Sequence, residues 1–349
     1  MRAPGSERLS PDIFSKPPVS GNLFSLLPVD GRESLSVASG RSALAKGLDS
    51  LPKDMISGRA WLPSLCCPSI AYPFLRRGFR LFFYSSPESA SLPRFLPGDV
   101  FLYIHFCGFP NRSAEAALKA IPVPERPFIF EDCVHALFTP GVGMFGDFIL
   151  YSFRKFLPVP DGGLLISRFP LDTKLEPPME FFVSCKVLGN LTGDRSRLRR
   201  GEDLLDGDDE ARAPSEMGRF LLERTEWESI PSRRRHNAAR LSDLLGISLP
   251  GGGESVPLGV PFRMEKGKDE LERRLRAAGF EPPLSWDCPP GAPDDEASRT
   301  VVLPCGEELE EADLREISAI CGTDNSGTIA EQMIDNSLRT GYPEFGSAG

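Results

Sequence analysis

Three short apolar runs between residues 128 and 168 constrain the fold of this chain more than any other feature. They are Phe128–Asp132, Phe148–Phe153 and Gly163–Ser167, and turn-forming residues separate them. Runs of five or six residues that are apolar on both faces predict strands of a sheet covered by helices on both sides. The sequence therefore predicts an α/β fold.

Apolar runs and helical patterns continue to alternate over residues 36–185. The other predicted strands are Leu81–Tyr84 and Val100–Phe106, and the predicted helices are Ser42–Leu51, Ser69–Arg76 and Ala114–Lys119. This order predicts a mostly parallel sheet within one large domain.

The length of 349 residues allows two domains. We predict an N-terminal arm at 1–35, a large domain at 36–215, a linking helix at 216–249, a smaller α+β domain at 250–321 and a loose tail at 322–349. The small domain is predicted to contain strands Val256–Met264 and Arg299–Leu303 and helices Lys268–Ala278 and Glu311–Ile320. Residues 190–214 are highly charged and are predicted to form a surface loop. Pro231 is predicted to break or kink the helical pattern of residues 215–246.

The composition excludes several classes of function. The formal net charge of -9 is unfavourable for binding nucleic acid. No apolar run approaches the roughly 20 residues of a membrane helix, and no signal peptide is recognisable at the N-terminus. The eight cysteines are scattered through the chain, which is typical of reduced thiols in the cytoplasm.

The first two apolar runs lead to side chains of opposite charge. Phe128–Asp132 ends in a carboxylate, and Lys155 follows Phe148–Phe153. The carboxyl ends of parallel strands meet at one edge of a sheet, where ligands of open α/β folds bind. Pyridoxal phosphate needs this pair, because a lysine forms its Schiff base and an acid keeps its pyridine nitrogen protonated.

Each of these residues also has a simpler interpretation. Asp132 alone is more often an exposed acid at a strand end, and His135 alone is more often a core histidine. Lys155 could be a surface lysine, but its neighbours Phe153 and Phe156 are apolar. A desolvated lysine has a lowered pKa and becomes a nucleophile for carbonyl groups, so these neighbours favour a chemical role.

Two glycine-containing segments are candidate phosphate sites. Ser39-Gly-Arg-Ser-Ala-Leu44 precedes a helical pattern, so it could hold a phosphate at a helix N-terminus or could be an ordinary N-cap. Gly141-Val-Gly-Met-Phe-Gly146 matches the dinucleotide-binding pattern Gly-x-Gly-x-x-Gly. No predicted helix opens on it and no acid lies at the expected distance, so we reject that function.

Together these segments resemble the DegT/StrS-type aminotransferases, a family of sugar aminotransferases of pyridoxal phosphate fold type I. The resemblance covers about residues 20–321 in the order of the family. The motifs that carry it are Ser39-Gly-Arg-Ser-Ala-Leu, Leu62-Pro-Ser-Leu-Cys-Cys-Pro, Ile104-His-Phe-Cys-Gly-Phe-Pro, Glu131-Asp-Cys-Val-His, Ser152-Phe-Arg-Lys and Asp161-Gly-Gly. Leu303-Pro-Cys and Trp286 also have counterparts in the small domain.

The resemblance implies a large domain with a seven-stranded, mostly parallel sheet, a smaller α+β domain, and a homodimer with active sites at the interface. It implies that Lys155 forms the Schiff base, that Asp132 pairs with the pyridine nitrogen and that His135 approaches the phenolic oxygen. The remaining cofactor-binding residues that it implies are Gly40, Arg41, Ser42, Cys67, His105 and Ser152. The sequence itself contains no cluster of metal-ligating residues, so no metal site is predicted.

The resemblance further implies transfer of an amino group from glutamate to a nucleotide-linked keto-sugar used in polysaccharide or glycoside synthesis. A dehydratase branch of the family has histidine in place of the lysine, and Lys155 therefore favours the aminotransferases.

Two alternatives stay open. One is a non-catalytic binding or regulatory protein, because Cys66 and Cys67 replace the usual ring-packing residues and residues 186–215 contain no recognisable Asn-Tyr-Arg motif. The other is a pyridoxal phosphate enzyme that acts on a non-sugar substrate.

Overall fold

The computed structural model describes residues 9–85, 92–251, 253–281, 288–293 and 297–322. Within these residues, seven strands form the main sheet. The strands are β1 (Glu33–Val37), β2 (Arg59–Pro63), β3 (Arg80–Tyr84), β4 (Val100–Ile104), β5 (Phe128–Asp132), β6 (Phe148–Ser152) and β7 (Gly163–Ser167).

The order of strands in the sheet is β1-β7-β6-β5-β4-β2-β3. Strands β2 to β6 are parallel to one another, and β7 runs antiparallel to both of its neighbours, β6 and β1. The predicted mostly parallel seven-stranded sheet is therefore confirmed. Strands β1 and β2 were not predicted, because polar residues interrupt their short sequences, Glu-Ser-Leu-Ser-Val and Arg-Ala-Trp-Leu-Pro.

Three helices follow strands in the first half of the chain: α1 (Gly40–Asp49), α2 (Ala71–Arg76) and α3 (Arg112–Lys119). Alternate residues of a strand face opposite sides of a sheet. Leu102, Phe130 and Leu150 therefore share the side covered by α1 and α2, where they form one hydrophobic cluster with Leu44 and Phe74. Helix α3 packs on the opposite side.

Four further helices follow β7 along the chain: α4 (Glu180–Thr192), α5 (Arg195–Asp206), α6 (Glu216–Leu222) and α7 (Ile230–Leu245). The prediction of a surface loop at 190–214 was wrong, because α5 and the end of α4 lie in this range. The side chain of Asp194 caps α5 by accepting a hydrogen bond from the Arg197 N–H. Pro231 does not kink a helix. It lies in the first turn of α7, where a missing N–H costs nothing.

The C-terminal part of the chain has its own hydrophobic cluster. It is built from α7, the antiparallel strands β8 (Gly259–Arg263) and β9 (Thr300–Pro304), and the helices α8 (Lys268–Ala277) and α9 (Glu311–Gly322). These elements match the predicted order of the small domain, whereas the exact domain boundaries stay a prediction. Trp286 and the predicted tail from residue 323 onward lie outside the described residues. No helix of the described residues combines the length and apolarity needed to cross a membrane.

Candidate active site

A cavity of about 290 Å³ opens at the carboxyl ends of β4, β5 and β6, on the side of the sheet that α1 covers. This volume is close to the lower end of the range for small-molecule sites, roughly 300–1,000 Å³. The residues that line it are Ser39, Gly40, Arg41, Leu44, Cys67, Ser69, Ile70, Ile104, Asp132, Val134, His135, Leu150, Ser152, Arg154, Lys155, Glu202, Leu205 and Asp206.

The strand register explains why Asp132 and Lys155 meet in this cavity. Asp132 is paired with Ile104 of β4 on one side and with Leu150 of β6 on the other, so its side chain lies in the middle of the floor. Strand β6 ends two residues later at Ser152, and a single 3₁₀ turn, Phe153–Lys155, follows it. Both charged groups therefore reach the same space from adjacent strands, as the sequence pattern predicts.

Burial sets the ionisation of Asp132. Its side chain is buried, and this desolvation raises its pKa to about 6. A hydrogen bond from the Val134 N–H to Oδ1, 2.8 Å long, and the positive charge of Lys155 oppose the rise. The carboxylate is thus ionised at neutral pH although its surroundings favour the neutral form, so the cavity favours a cationic ligand at this position.

His135 has the opposite response to the same environment. Desolvation, together with the nearby positive charge of Lys155, lowers its pKa to about 3. The imidazole is therefore neutral throughout the physiological range. It lines the cavity beside Asp132 without adding a charge to it.

The N-terminus of α1 forms a second wall. Ser39 caps the helix, because its Oγ accepts a hydrogen bond from the Ser42 N–H at 3.1 Å. A side chain at Gly40 would overlap Val134 and lie 3.6 Å from Cβ of Ser152, so glycine is needed for this close approach. The Oγ atom of Ser152 is buried and makes no hydrogen bond within the described part of the chain. The first N–H groups of a helix and an unsatisfied hydroxyl are suitable partners for a phosphate.

The glycine pair at 162–163 lets strand β7 lie against this helix terminus. The Gly162 N–H donates to the carbonyl of Ala38 at 2.6 Å. A Cβ atom at Gly163 would overlap the Tyr151 carbonyl oxygen and lie 3.2 Å from the carbonyl carbon of Ser39. Gly163 therefore fixes the distance between the sheet and the residue that caps α1.

We predict that Gly163→Ala lowers the free energy of unfolding by about 1–3 kcal/mol, because the new methyl group meets backbone atoms that cannot turn aside. Thermal denaturation of the purified variant measures this change. Gly253→Ala is the matched control, since no atom lies within 4 Å of a Cβ at Gly253. Equal stability of both variants would mean that β7 moves freely relative to Ser39.

Two predicted site residues on α1 have other contacts. The guanidinium of Arg41 donates to Asp206 Oδ1 at 2.8 Å, to the Ser69 hydroxyl and to the Leu205 carbonyl. It lines the cavity and fixes the end of α5. Ser42 is not among the lining residues, because its buried hydroxyl contacts Ser39 Oγ at 3.2 Å. Their roles in holding a cofactor stay a prediction.

Cys67 lines the cavity at the end of the loop after β2. Its Sγ lies 2.9 Å from the Ser69 hydroxyl, which in turn contacts Arg41. The adjacent Cys66 is buried, and burial raises the pKa of its thiol, with further contributions from Cys67 and Asp132. Cys66 is therefore a neutral thiol, and only Cys67 of this pair is among the lining residues.

His105 lies beneath the cavity rather than in its lining. Its Nδ1 accepts a hydrogen bond from the Asn111 N–H at 3.0 Å, so Nε2 carries the proton and donates to Glu131 Oε1 at 2.9 Å. Glu131, His105 and Cys133 lie close enough together to be considered as metal ligands. The lone pair of Nδ1 is already used by Asn111, which makes this donor set unsuitable for a cation.

The glycine-rich segment 141–146 has a structural use. The N–H groups of Gly143, Phe145 and Gly146 donate to the carboxylate of Glu131 at 2.5, 2.9 and 2.7 Å. Burial alone raises the pKa of Glu131, but the bonds from His105 and this loop outweigh it and lower the pKa to about 2. The loop therefore binds an internal carboxylate, which agrees with our rejection of a dinucleotide site.

Sequence reasoning missed a group of charged residues at the cavity, of which Arg154 and Glu202 line it. Glu202 of α5 accepts from Arg154 Nη1 at 3.1 Å and from Lys186 Nζ of α4 at 2.6 Å. Desolvation acts to raise the pKa of Glu202, but the charges of Arg154 and Lys186 outweigh it and hold the pKa well below its usual range. The seven-residue spacing of Leu198 and Leu205 was the available signal for α5, and the density of charges around it concealed that pattern.

These residues fit pyridoxal phosphate. Asp132 is a buried carboxylate that favours a cation, Lys155 supplies an amine, and the N-terminus of α1 with Ser152 supplies donors for a phosphate. These groups line one cavity, so a single ring carrying a phosphate can contact all of them.

Comparison with known proteins gives matches by structure alone. No protein-family model matches the sequence, and no curated protein matches it. Among solved structures, the sugar aminotransferase CalS13 from Micromonospora echinospora has a TM-score of 0.59 and 18% sequence identity. The match covers 91% of this chain and 98% of CalS13.

Two further structures extend this likeness. A DegT DnrJ EryC1 StrS aminotransferase from Brucella abortus has a TM-score of 0.57 and 18% identity, and the match covers 92% of each chain. A GDP-4-keto-6-deoxymannose-3-dehydratase with a trapped PLP-glutamate geminal diamine has a TM-score of 0.61 and 14% identity, with coverage of 91% of this chain and all (100%) of that one. The chain therefore has the fold of these pyridoxal phosphate-dependent enzymes.

Proposed function

We propose that this protein is a pyridoxal phosphate-dependent aminotransferase that moves an amino group from glutamate to a nucleotide-linked keto-sugar. The observation that carries the proposal is the meeting of Asp132, Lys155 and the N-terminus of α1 in one cavity. The sugar is supported by the likeness to CalS13 and to other sugar-modifying enzymes of this fold. The resemblance of the sequence motifs supports glutamate as the donor.

Pyridoxal phosphate, when bound, supplies a conjugated ring that accepts the electron pair of a substrate carbon. Asp132 would hold the proton on the pyridine nitrogen. Lys155 Nζ would hold the cofactor through its aldehyde group and would move the proton at the substrate carbon. Ser152 Oγ and the first N–H groups of α1 would bind the phosphate.

His135 and Cys67 complete the proposed cofactor site. Because the pKa of His135 is about 3, its ring would contact the cofactor as a neutral imidazole at physiological pH. Cys67 would pack on the cofactor ring, where it presents a soft and polarisable atom. Arg41 and Ser42 would act through the position of α1.

The proposal is tested with purified protein reconstituted with pyridoxal phosphate. We expect a yellow protein that loses its colour with borohydride and carries a stable label on Lys155, which peptide mass spectrometry would locate. Glutamate should then yield one 2-oxoglutarate for each site together with the pyridoxamine form of the cofactor. A protein that stays colourless at saturating cofactor would support a non-catalytic role for this fold.

The dehydratase among the structural neighbours favours a second candidate, a different pyridoxal phosphate reaction. The balance of amino groups separates the two. An aminotransferase consumes one glutamate nitrogen for each molecule of product, whereas a dehydratase yields a product that contains no transferred nitrogen. Incorporation of ¹⁵N from labelled glutamate into the product would decide for transamination.

We also propose a homodimer in the cytoplasm. The resemblance to the family supports the dimer, and Tyr72 and Leu75 of α2, which are 40% and 47% exposed, are available for contact with another chain. None of the eight cysteines forms a disulfide, a state that a reducing compartment maintains. Sedimentation equilibrium of the purified chain tests the dimer, and a monomer at micromolar concentration would contradict it.

A further inference from the structure

Arg234 of α7 is an almost completely buried arginine next to the turn that carries Lys155. Its side chain is only 1% exposed. Its Cζ atom lies 5.1 Å from the centre of the Phe156 ring, a distance at which a cation and an aromatic ring attract each other. Phe156 follows Lys155 directly in the sequence and is itself buried. A buried positive charge therefore lies against the residue next to the proposed reactive amine.

Phe156 determines where the turn of Lys155 lies. Its N–H donates to the carbonyl of Phe153 at 3.0 Å and so closes the turn Phe153–Lys155. The N–H of Leu157 donates to the same carbonyl at 2.9 Å. Because Lys155 lies within the loop of backbone that these bonds close, a displacement of the Phe156 ring is transmitted to the lysine.

The other contacts of Arg234 lie in the C-terminal part of the chain. Its Nε forms an ion pair with Glu307 Oε2 at 2.8 Å, shortly after the end of β9. Its Nη1 donates to the carbonyl of Leu258, the residue before β8, at 3.1 Å. A single guanidinium thus connects the turn of Lys155 with the ends of both strands of the small sheet.

Stability alone does not explain an arginine at this position. The Nη2 atom of Arg234 is buried and makes no hydrogen bond to any residue that the structure describes. Taking a guanidinium out of water costs free energy, and a buried ion pair often stabilises a fold no better than packed apolar side chains. The arginine does supply a fixed geometry between a ring, a carboxylate and a carbonyl, which an apolar side chain would not.

We infer that Arg234 is a positioning residue that sets the place of Lys155 in the cavity through the ring of Phe156. The inference rests on the proposed aminotransferase function, since the place of Lys155 Nζ matters for that chemistry. Reacting atoms must be held within about 3–3.5 Å of each other, and a misplacement of about 1 Å can lower a rate by about 10²-fold. Arg234 therefore affects the rate without touching the ligand.

The test compares Arg234→Lys with the wild type, because lysine keeps the buried charge but loses the planar guanidinium. Acetic anhydride labels the amines of the cofactor-free protein, and peptide mass spectrometry compares Lys155 with the exposed Lys53 of the same molecule. With its turn held less firmly, Lys155 should be acetylated about threefold faster in the variant, while Lys53 keeps its rate. At saturating glutamate, the reconstituted variant should release 2-oxoglutarate about tenfold more slowly.

Phe156→Leu provides a second variant that acts on the other side of the same contact. It removes the ring and leaves Arg234 with Glu307 and Leu258, and it should change both measured rates in the same direction as Arg234→Lys. The double variant should differ from Phe156→Leu by less than about twofold, because the connection from Arg234 to Lys155 is already interrupted. Effects that multiply in the double variant would show that Arg234 does not act through Phe156 and would overturn the inference.

Arg233→Lys is the matched control. Arg233 is the preceding residue of α7, and its Nε donates to the carbonyl of Glu307 at 2.6 Å. Its guanidinium stacks on no aromatic ring among the described residues, so this variant should keep both wild-type rates. Thermal denaturation measures the stability of every variant. A less stable Arg234→Lys variant in which both rates are unchanged would overturn the inference and assign the arginine a structural role.

The acetylation rate needs no cofactor, so it separates the inference from the proposed function. Wild-type protein that releases no 2-oxoglutarate, with the expected changes in acetylation, would reject the aminotransferase and support the positioning of Lys155. An active aminotransferase in which Lys155 is acetylated equally fast in Arg234→Lys and the wild type would reject only the positioning role.

Discussion

Replacing Lys155 with alanine is expected to reduce the glutamate-dependent release of 2-oxoglutarate by about a thousandfold or more. A positioned general acid–base group contributes about 10²- to 10⁴-fold to a rate, and this lysine would also hold the cofactor. The side chain is only half-buried and follows a strand end, so the fold should survive. Stopped-flow measurement of the half-reaction with glutamate gives the rate, and circular dichroism reports the fold.

Lys53→Ala is the matched control, since Lys53 is an exposed lysine far along the chain from this turn. It should keep the wild-type rate. Lys155→Ala should also raise the pKa values of Asp132 and His135, because the positive charge of Lys155 lowers both. Loss of the folded state in Lys155→Ala would assign the lysine a structural role instead.

Asp132→Asn is expected to stabilise the cofactor-free protein while reducing the half-reaction by at least about a hundredfold. The pKa of Asp132 is about 6 in the folded protein, against an ordinary value of 3.8. The folded state therefore binds the proton more tightly than the unfolded state, and the free energy of unfolding falls as the pH rises from about 4 to about 6. Above pH 6 the loss in the free energy of unfolding is constant and amounts to about 3 kcal/mol. Because an amide carries no charge, Asp132→Asn should raise the free energy of unfolding by about 1–3 kcal/mol at pH 7.5.

The difference in the free energy of unfolding between the wild type and Asp132→Asn isolates the contribution of the Asp132 carboxylate. His135 acts in the opposite direction over the same range, because its lowered pKa makes the folded state less stable as the pH falls below 6.5. Urea denaturation of both proteins at pH 4.5 and 7.5 cancels that shared contribution. The Asn oxygen can still accept the Val134 N–H, so a variant that is less stable than the wild type at pH 7.5 would contradict the prediction.

The central strands and the pairing of Asp132 with Lys155 could be predicted because their signals are local. Each central strand is a continuous apolar run, since both of its faces are covered. The residue that follows such a run must lie at the carboxyl edge of the sheet. The positions of Asp132 and Lys155 therefore depend only on where two strands end, and the structure agrees with both ends to within one residue.

The parts that could not be predicted depend on partners distant in sequence. Helix α5 is mostly charged, and its folding relies on Leu205, on its packing with α4 and on the pairing of Glu202 with Lys186. Strand β1 has polar residues because it lies at the edge of the sheet. By composition alone, the sequence of α5 is typical of a loop. The position of Glu202 in the cavity wall could therefore not be predicted either.

Glu131 and Asp132 are consecutive acids on one strand with opposite surroundings. Glu131 is surrounded by donors that hold its pKa near 2, while Asp132 has a single backbone donor and a pKa of about 6. A mutational screen that measures only the proposed activity would find that substitutions at Glu131 and at Asp132 are equally damaging. Measured protein abundance would separate them, since loss of Glu131 should deplete the folded protein, whereas loss of Asp132 should leave it abundant and without the proposed activity.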